Sequence, residues 1–152
     1  MNARETVAAL ADSLQAIDDA FDPASEQELL MAEATLGVTL PELFREIQKS
    51  YGRCMFSGEA LISVKGAEPL SIFTIFGCKG DTGNLVMDFR EHPDLQDRGL
   101  VPIADDLFNN RYVWDSTSGQ VLFINYTDRK APLLAAPTFE DFLKMIWIGP
   151  DS

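Results

Sequence analysis

Hydrophobic positions follow a helical period up to about residue 52 and a strand-like period beyond it. The first stretch, residues 4–21, places apolar side chains at spacings of three or four, which predicts an amphipathic helix with one apolar stripe. The stripe consists of Val7, Leu10, Leu14, Ile17 and Phe21. Asp22-Pro23 follows, and the helix is expected to end there because a residue before proline resists the helical conformation.

Two more helices are predicted before the period changes. Ser25, with Glu28 three positions on, forms a capping-box pattern at the start of the second helix. Gly37 is placed to end that helix in the left-handed conformation. Pro41 fits the first position of the third helix, where its missing N–H costs nothing, and Gly52 ends it.

Beyond residue 53 the chain carries short β-branched or aromatic runs, separated by glycines and a proline, that are typical of strands. These runs are 55–56, 60–64, 72–76, 111–114 and 120–124. The last two meet at Ser118-Gly119, which has turn chemistry. Since 121–124 is apolar at four successive positions, both faces of this strand should be covered, and we expect it in the middle of the sheet.

Two helices complete the prediction, one from Leu85 to about Arg90 and a last one that Thr138 caps with Asp141 three residues on. Helices and strands are segregated along the chain, which predicts an α+β fold. We expect one domain over residues 1–152, with a twisted, mostly antiparallel sheet flanked by N-terminal helices and a C-terminal helix.

Composition is that of a soluble globular protein, with 46% hydrophobic and 24% charged residues. The sequence shows no signal-peptide pattern and no apolar run of about 20 residues, so we expect a cytoplasmic protein without a membrane span. The net charge of −12 disfavours direct binding of nucleic acid, whose phosphates need a basic surface. The acidity fits either simple solubility or a basic protein partner.

No catalytic or metal site is predicted. His92, the one histidine, lies in a loop-like stretch, and Cys54 and Cys78 are separated by 24 positions without a CxxC motif. These cysteines are expected to be reduced structural thiols. The glycine-rich segment 77–84 lacks the residue order of a phosphate-binding loop, so it is interpreted as a surface turn and no cofactor is expected.

Asp105 and Asp106 are adjacent carboxylates before the predicted hairpin. Side chains of neighbouring residues on an extended segment point to opposite faces, so the two form a poor acid–base couple. They remain candidates to accept hydrogen bonds from loop N–H groups or from an arginine of a partner.

Four segments, in this order and spacing, resemble motifs of the SUKH superfamily, the Smi/Knr-like proteins. The first is Leu36–Pro41, followed by the Phe44/Ile47 face and Tyr51-Gly52. The second is Ile75–Gly77, and the third is Val101–Asp105, followed by Asn110, Tyr112 and Asp115. The fourth is Thr138–Leu143. The resemblance covers about residues 25–147 and leaves residues 1–24 as an extra N-terminal helix. Leu107-Phe108-Asn109 replaces a glycine-rich turn of the family, and Gly52-Arg53-Cys54 stands where the family often has Asn-Gly-Gly.

The superfamily includes fungal cell-wall-assembly regulators and bacterial immunity proteins. The resemblance therefore implies a non-enzymatic immunity protein that binds and neutralises a cognate toxin domain, and a basic nuclease-type toxin would fit the acidic surface. The alternative is a general interaction or regulatory module with no toxin partner. The candidate partner-binding residues are Asp18, Asp19, Asp22, Glu26, Asp105, Asp106, Leu107 and Phe108.

Overall fold

The computed structural model describes residues 2–14, 17–80, 83–128 and 131–149, with the backbone alone at 10–14, 17–21 and 57. The helices of the described residues are α1 (Ala3–Leu14), α2 (Glu26–Leu36), α3 (Glu42–Ser50), α4 (Leu85–Glu91), α5 (Pro93–Asp97) and α6 (Phe139–Met145). The strands are β1 (Ile17–Phe21), β2 (Arg53–Ile62), β3 (Leu70–Ile75), β4 (Leu100–Asp105), β5 (Arg111–Asp115), β6 (Val121–Ile124), β7 (Leu133–Ala136) and β8 (Trp147–Ile148).

Seven strands lie side by side in chain order, β1 to β7, and β8 pairs with the second half of β2. All of these pairings are antiparallel, which confirms the predicted α+β class. One ladder is short: β3 and β4 share the pairs Thr74–Asp105 and Ile75–Ala104. The ladders on either side, β2–β3 and β4–β5, have five pairs each.

The main core packs the sheet against the helices α1, α3, α4 and α6, with Leu36 at the end of α2. Aromatic rings form its centre. Phe44 of α3 meets Phe139 of α6 edge-on at 5.4 Å between ring centroids, and Tyr112 of β5 lies 5.3 Å from Phe142. Because such rings each bury a large apolar area, this cluster contributes a major share of the stability.

A second, smaller cluster lies beneath α5. It consists of Leu95, Leu100, Val113 and Ile124. Tyr112 and Val113 belong to different clusters because successive residues of a strand point to opposite faces. Strand β5 is therefore buried on both sides, and any charged residue on it needs a partner inside the protein.

The caps predicted at Ser25, Gly37 and Thr138 are confirmed. Pro41, predicted at the first position of the third helix, lies one residue earlier, as the N-cap residue of α3. Ser25 and Glu28 form the reciprocal capping box of α2, and Gly37 ends that helix at φ 75°. Thr138 accepts a hydrogen bond from the Asp141 N–H at the start of α6. Gly52, with φ 76°, turns the chain from α3 into β2.

The predicted helix over residues 4–21 is wrong in its second half. Helix α1 ends at Leu14, and Ile17–Phe21 is the edge strand β1, paired with the start of β2. The apolar spacing of Ile17 and Phe21 suits a helix, but pairing with β2 satisfies backbone groups along an otherwise open edge. A register irregularity after Ile17 accommodates the pairing.

The position predicted for 121–124 needs a smaller correction. Strand β6 lies inside the sheet, next to the edge strand β7, whereas β4 is the middle strand. Leu122 is half-buried, so one face of β6 is incompletely covered. Strand β7 was not predicted, and the runs 55–56 and 60–64 belong to the region of one irregular strand, β2.

Candidate functional site

A cleft of about 240 Å³ opens where β3 and β4 stop pairing. Phe73 and Thr74 of β3, Asp105 of β4 and Arg111 of β5 line it together with residues of α4. The cleft lies beside the last pair of this ladder, Thr74–Asp105, and residues of α4 form its other wall. The family-like segments around residues 75 and 105 thus meet at one place.

Two of the residues that line this cleft, Arg111 and Asp88, form a buried ion pair. Arg111 donates from Nε to Oδ2 of Asp88 at 2.9 Å and from Nη2 to Oδ1 at 3.0 Å. Both residues are buried, at 8% and 9% exposure. Burial lowers the pKa of Arg111, but the hydrogen bonds and charge of Asp88 outweigh it, so the pKa is raised overall.

The remaining contacts of Arg111 fix the turn that follows β4. Its Nη1 donates to Oδ1 of Asn109 at 2.9 Å and to the carbonyl of Asn110 at 3.2 Å. Its guanidinium lies 5.6 Å from the centre of the Phe76 ring. All of these hydrogen bonds of Arg111 are made within the protein, and they connect α4, β5 and the turn.

Asp105 is an acid of the cleft that forms no ion pair within the described residues. Its Oδ1 accepts the Thr74 N–H at 3.0 Å, and this is its one hydrogen bond within the described residues. Burial raises the pKa of Asp105 to about 6, against the opposing effects of the Thr74 N–H and Arg111. Its charge is incompletely compensated, in contrast to that of Asp88.

Asp106 serves the loop instead of facing a partner. It is 5% exposed, and its carboxylate accepts the N–H groups of Phe108 and Asn110, each at 2.8 Å, and the Asn110 side-chain amide at 2.9 Å. This confirms the expectation that it accepts loop N–H groups. Asn109, at φ 65°, completes the tight turn.

The turn so held presents two large apolar side chains to solvent. Leu107 is 61% and Phe108 is 70% exposed. Leu107 also lines an apolar groove beside the cleft, between the irregular part of β2 and β3. Phe73 lines both the cleft and this groove, so the two depressions adjoin.

A third depression adjoins on the other side, between α2 and α4. Met87 and Asn84 line both it and the cleft, and Met31 of α2 forms part of its wall. Four of the large apolar side chains that are exposed among the described residues therefore line adjoining grooves. They are Met31, Phe73, Met87 and Leu107.

The N-terminal acidic candidates lie elsewhere. Glu26 forms ion pairs with Arg45 and, at 2.8 Å, with Lys49, so its charge is neutralised within the protein. Asp22 is exposed in the turn between β1 and α2. Asp18 and Asp19 belong to strand β1 and not to a helix, and their side chains lie outside the described part.

The residues considered for catalysis have structural roles. Nδ1 of His92 lies 2.7 Å from the Asp88 carbonyl, and its ring packs against Tyr126 at 5.2 Å between centroids. Burial raises the pKa of the Cys54 and Cys78 thiols to about 12, and both are free. Thiols in that state are poor nucleophiles.

The described residues contain no group of three or more His, Cys, Asp or Glu side chains placed to hold a metal ion. No helix among them is both long and apolar enough to cross a membrane.

Residues 23–145 match the model of the SMI1 / KNR4 family (SUKH-1). The chain belongs to this family. The match agrees with the span, about 25–147, over which the motifs were recognised from sequence. No curated protein gives a significant match to the chain.

The SUKH-1 motifs account for part of the cleft. Asp105 and Phe76, which line it, belong to motifs recognised from the sequence, and Asn110 of the same motifs lies in the adjoining turn. Asp88, Arg111 and Phe73 were missed. Arg111 offered a signal, since a lone charge within the apolar run RYVW requires a buried partner. Nothing local in the sequence pointed to Asp88, because the pair joins positions 23 residues apart.

Proposed function

We propose that this SUKH-1 protein is a non-enzymatic immunity protein that binds a cognate toxin domain and masks its active surface. Membership of the family supports this function at a coarse level. The observation that carries the proposal is the set of adjoining grooves with exposed apolar residues around a charged cleft. Exposed apolar surface rimmed by polar residues marks protein-interaction sites.

The turn after β4 is the proposed centre of the contact. Leu107 and Phe108 project into solvent, yet their backbone is fixed by Asp106, Asn110 and Arg111. A rigid loop loses little conformational entropy on binding, which favours affinity. Aromatic and aliphatic anchors of this kind are enriched among residues that dominate interface energies.

The acidic candidates divide into two proposed roles. Asp105 remains a contact residue because it faces the cleft beside the apolar loop. Asp18, Asp19 and Asp22 remain as steering charges, whose field attracts a basic toxin before contact. Glu26 and Asp106 are already engaged within the protein and support the local structure.

The direct test starts by examining whether the adjacent gene encodes a large secreted protein with a toxin-like C-terminal domain, and then produces that domain in cells with and without the protein. We expect the parent to restore growth and to form a stoichiometric complex by calorimetry. Leu107→Asp with Phe108→Asp should abolish both, because charges would enter the apolar contact. Leu134→Asp is the matched control, since Leu134 is 50% exposed on β7, away from these grooves.

The alternative function is that of a general interaction or regulatory module without a toxin partner. It is suggested by the resemblance to the fungal cell-wall-assembly regulators. It predicts the same loop dependence with a different protein. Absence of both growth rescue and complex formation with the neighbouring toxin domain would refute the immunity function and favour this alternative.

A further inference from the structure

The charges lining the cleft are unequally satisfied. Of its acids, Asp88 is paired with Arg111, whereas Asp105 accepts one backbone N–H and Glu91 has no hydrogen bond or ion pair within the described residues. Of its bases, Arg111 is fully used and Arg53 is likewise engaged. Asp105 and Glu91 therefore line the cleft without an ion pair to any of the described residues.

The walls and size of the cleft narrow the choice of cation. Phe73, 41% exposed, lines the cleft together with Asp105, whereas the guanidinium of Arg111 already lies over the Phe76 ring. At about 240 Å³ the cleft is smaller than the roughly 300–1,000 Å³ of small-molecule pockets, so it suits a single side chain. A planar guanidinium can stack on a ring while donating to carboxylates at its edge, which a lysine ammonium does less well.

We propose that the cleft receives an arginine side chain of the protein partner, with Asp105 and Glu91 accepting from its guanidinium and Phe73 stacking on it. The inference rests on the proposed function, because the arginine belongs to the bound toxin domain. It places an electrostatic anchor beside the apolar loop 107–108. The two contacts are adjacent because Leu107 and Phe73 line the same groove.

The surroundings of the Asp105 carboxylate support an arginine side chain as the group that enters the cleft. Burial, with smaller contributions from the charges of Asp106 and Asp88, holds the pKa of Asp105 well above that of a solvated carboxyl, so its ionised form is incompletely compensated in the free protein. A guanidinium would supply that compensation. The hydrogen bond from Thr74 fixes the carboxylate in place, so that one oxygen stays available to the cleft.

A first experiment needs no toxin. The full chain, labelled with ¹⁵N, is titrated with N-acetyl-arginine methylamide and, separately, with the citrulline analogue, which has the same shape but no charge. We expect saturable amide shifts at Phe73, Thr74 and Asp105 with the arginine probe alone. Asp105→Asn should weaken binding at least about 5-fold, while Asp97→Asn, at an exposed acid of α5, should not.

Equal shifts with citrulline, absence of saturable shifts, or unchanged binding by Asp105→Asn would overturn the arginine site. A second experiment uses the toxin domain, for which Asp105→Asn should weaken the complex at least about 10-fold. If the variant binds as tightly as the parent, the inference fails while the proposed function stands. If the parent itself does not bind the toxin domain, the proposed function fails and the partner assignment fails with it.

Discussion

Arg111 and Asp88 are joined by two parallel hydrogen bonds between a strand that is buried on both faces and helix α4. The pair has a cost, since both charges leave water, and it is retained only because each group is well satisfied. Beside the cleft, the pair links the sheet to α4, which carries Asp88 and Glu91 and also packs on the core through Leu85 and Phe89. The shape of the candidate site therefore depends on a contact that does not face solvent.

Breaking this pair should destabilise the protein strongly. Arg111→Met leaves the Asp88 carboxylate buried without its cation, and we expect a loss of about 3–5 kcal/mol in the free energy of unfolding. Arg111→Met with Asp88→Leu should lose less than the single variant. Urea denaturation measures both. Lys144→Met, in the exposed pair with Glu140, is the control and should change stability by less than about 1 kcal/mol.

Phe123→Ala should cost about 3–5 kcal/mol, the usual effect of truncating a buried aromatic side chain. Phe123 is 2% exposed, and its ring lies 5.0 Å from that of Tyr112. The same measurement on Leu134→Ala, at an exposed position of β7, should give a much smaller loss. A denaturation midpoint equal to that of the parent would show that β6 contributes little to the core.

Asp105 should make stability depend on pH in the direction opposite to that of a paired carboxylate. Its pKa is raised from 3.8 to about 6, so the folded protein holds this proton more tightly than the unfolded chain. Ionisation of Asp105 does not lower the free energy of unfolding below pH 4. It lowers it progressively between pH 4 and 6, and by roughly 1–3 kcal/mol above pH 6.

Asp105→Asn keeps an acceptor for the Thr74 N–H and removes the charge. We expect the variant to exceed the parent in unfolding free energy by roughly 1–3 kcal/mol at pH 7, and to match it at pH 4. Urea unfolding at several pH values gives the difference. A difference that does not vary with pH would show that the Asp105 carboxyl titrates normally.

Local signals in the sequence were sufficient for the helix caps. Ser25, Gly37 and Thr138 act through neighbours three or four residues away, so their roles were predicted correctly. The strand β1 and the pair Asp88–Arg111 depend on contacts between distant segments, which periodicity does not encode. The span Ile17–Phe21 is the clearest case, because its apolar spacing fits a helix while its backbone pairs with β2.

The histidine and the cysteines should be dispensable for neutralising the toxin domain. His92→Ala, Cys54→Ser and Cys78→Ser are expected to keep full activity in the growth assay, provided that circular dichroism shows a folded protein. Since the pKa of each thiol is raised to about 12, both should react slowly with iodoacetamide at pH 8. Rapid labelling of Cys54 in the folded protein would contradict its burial.

The acidic N-terminal segment should affect the rate of association more than the lifetime of the complex. Asp18→Lys with Asp19→Lys is expected to slow association several-fold at low salt and to flatten its salt dependence, with dissociation nearly unchanged. Stopped-flow measurements across salt concentrations test this. Glu68→Lys with Asp97→Lys, at exposed positions, is a control with the same change in charge. If it slows association equally, the effect comes from the net charge of the protein and not from the position of Asp18 and Asp19.

The short ladder between β3 and β4 also bears on the order of folding. It separates two blocks of sheet, β2–β3 and β4–β7, in which strands adjacent in sequence pair across short connections. Residues 76–99 connect β3 to β4 and carry α4 and α5. Closing this long loop costs more chain entropy than closing a hairpin, and only two residue pairs form in the β3–β4 ladder as a result. We therefore expect the two blocks to form first and to dock late, through side chains of the shared core.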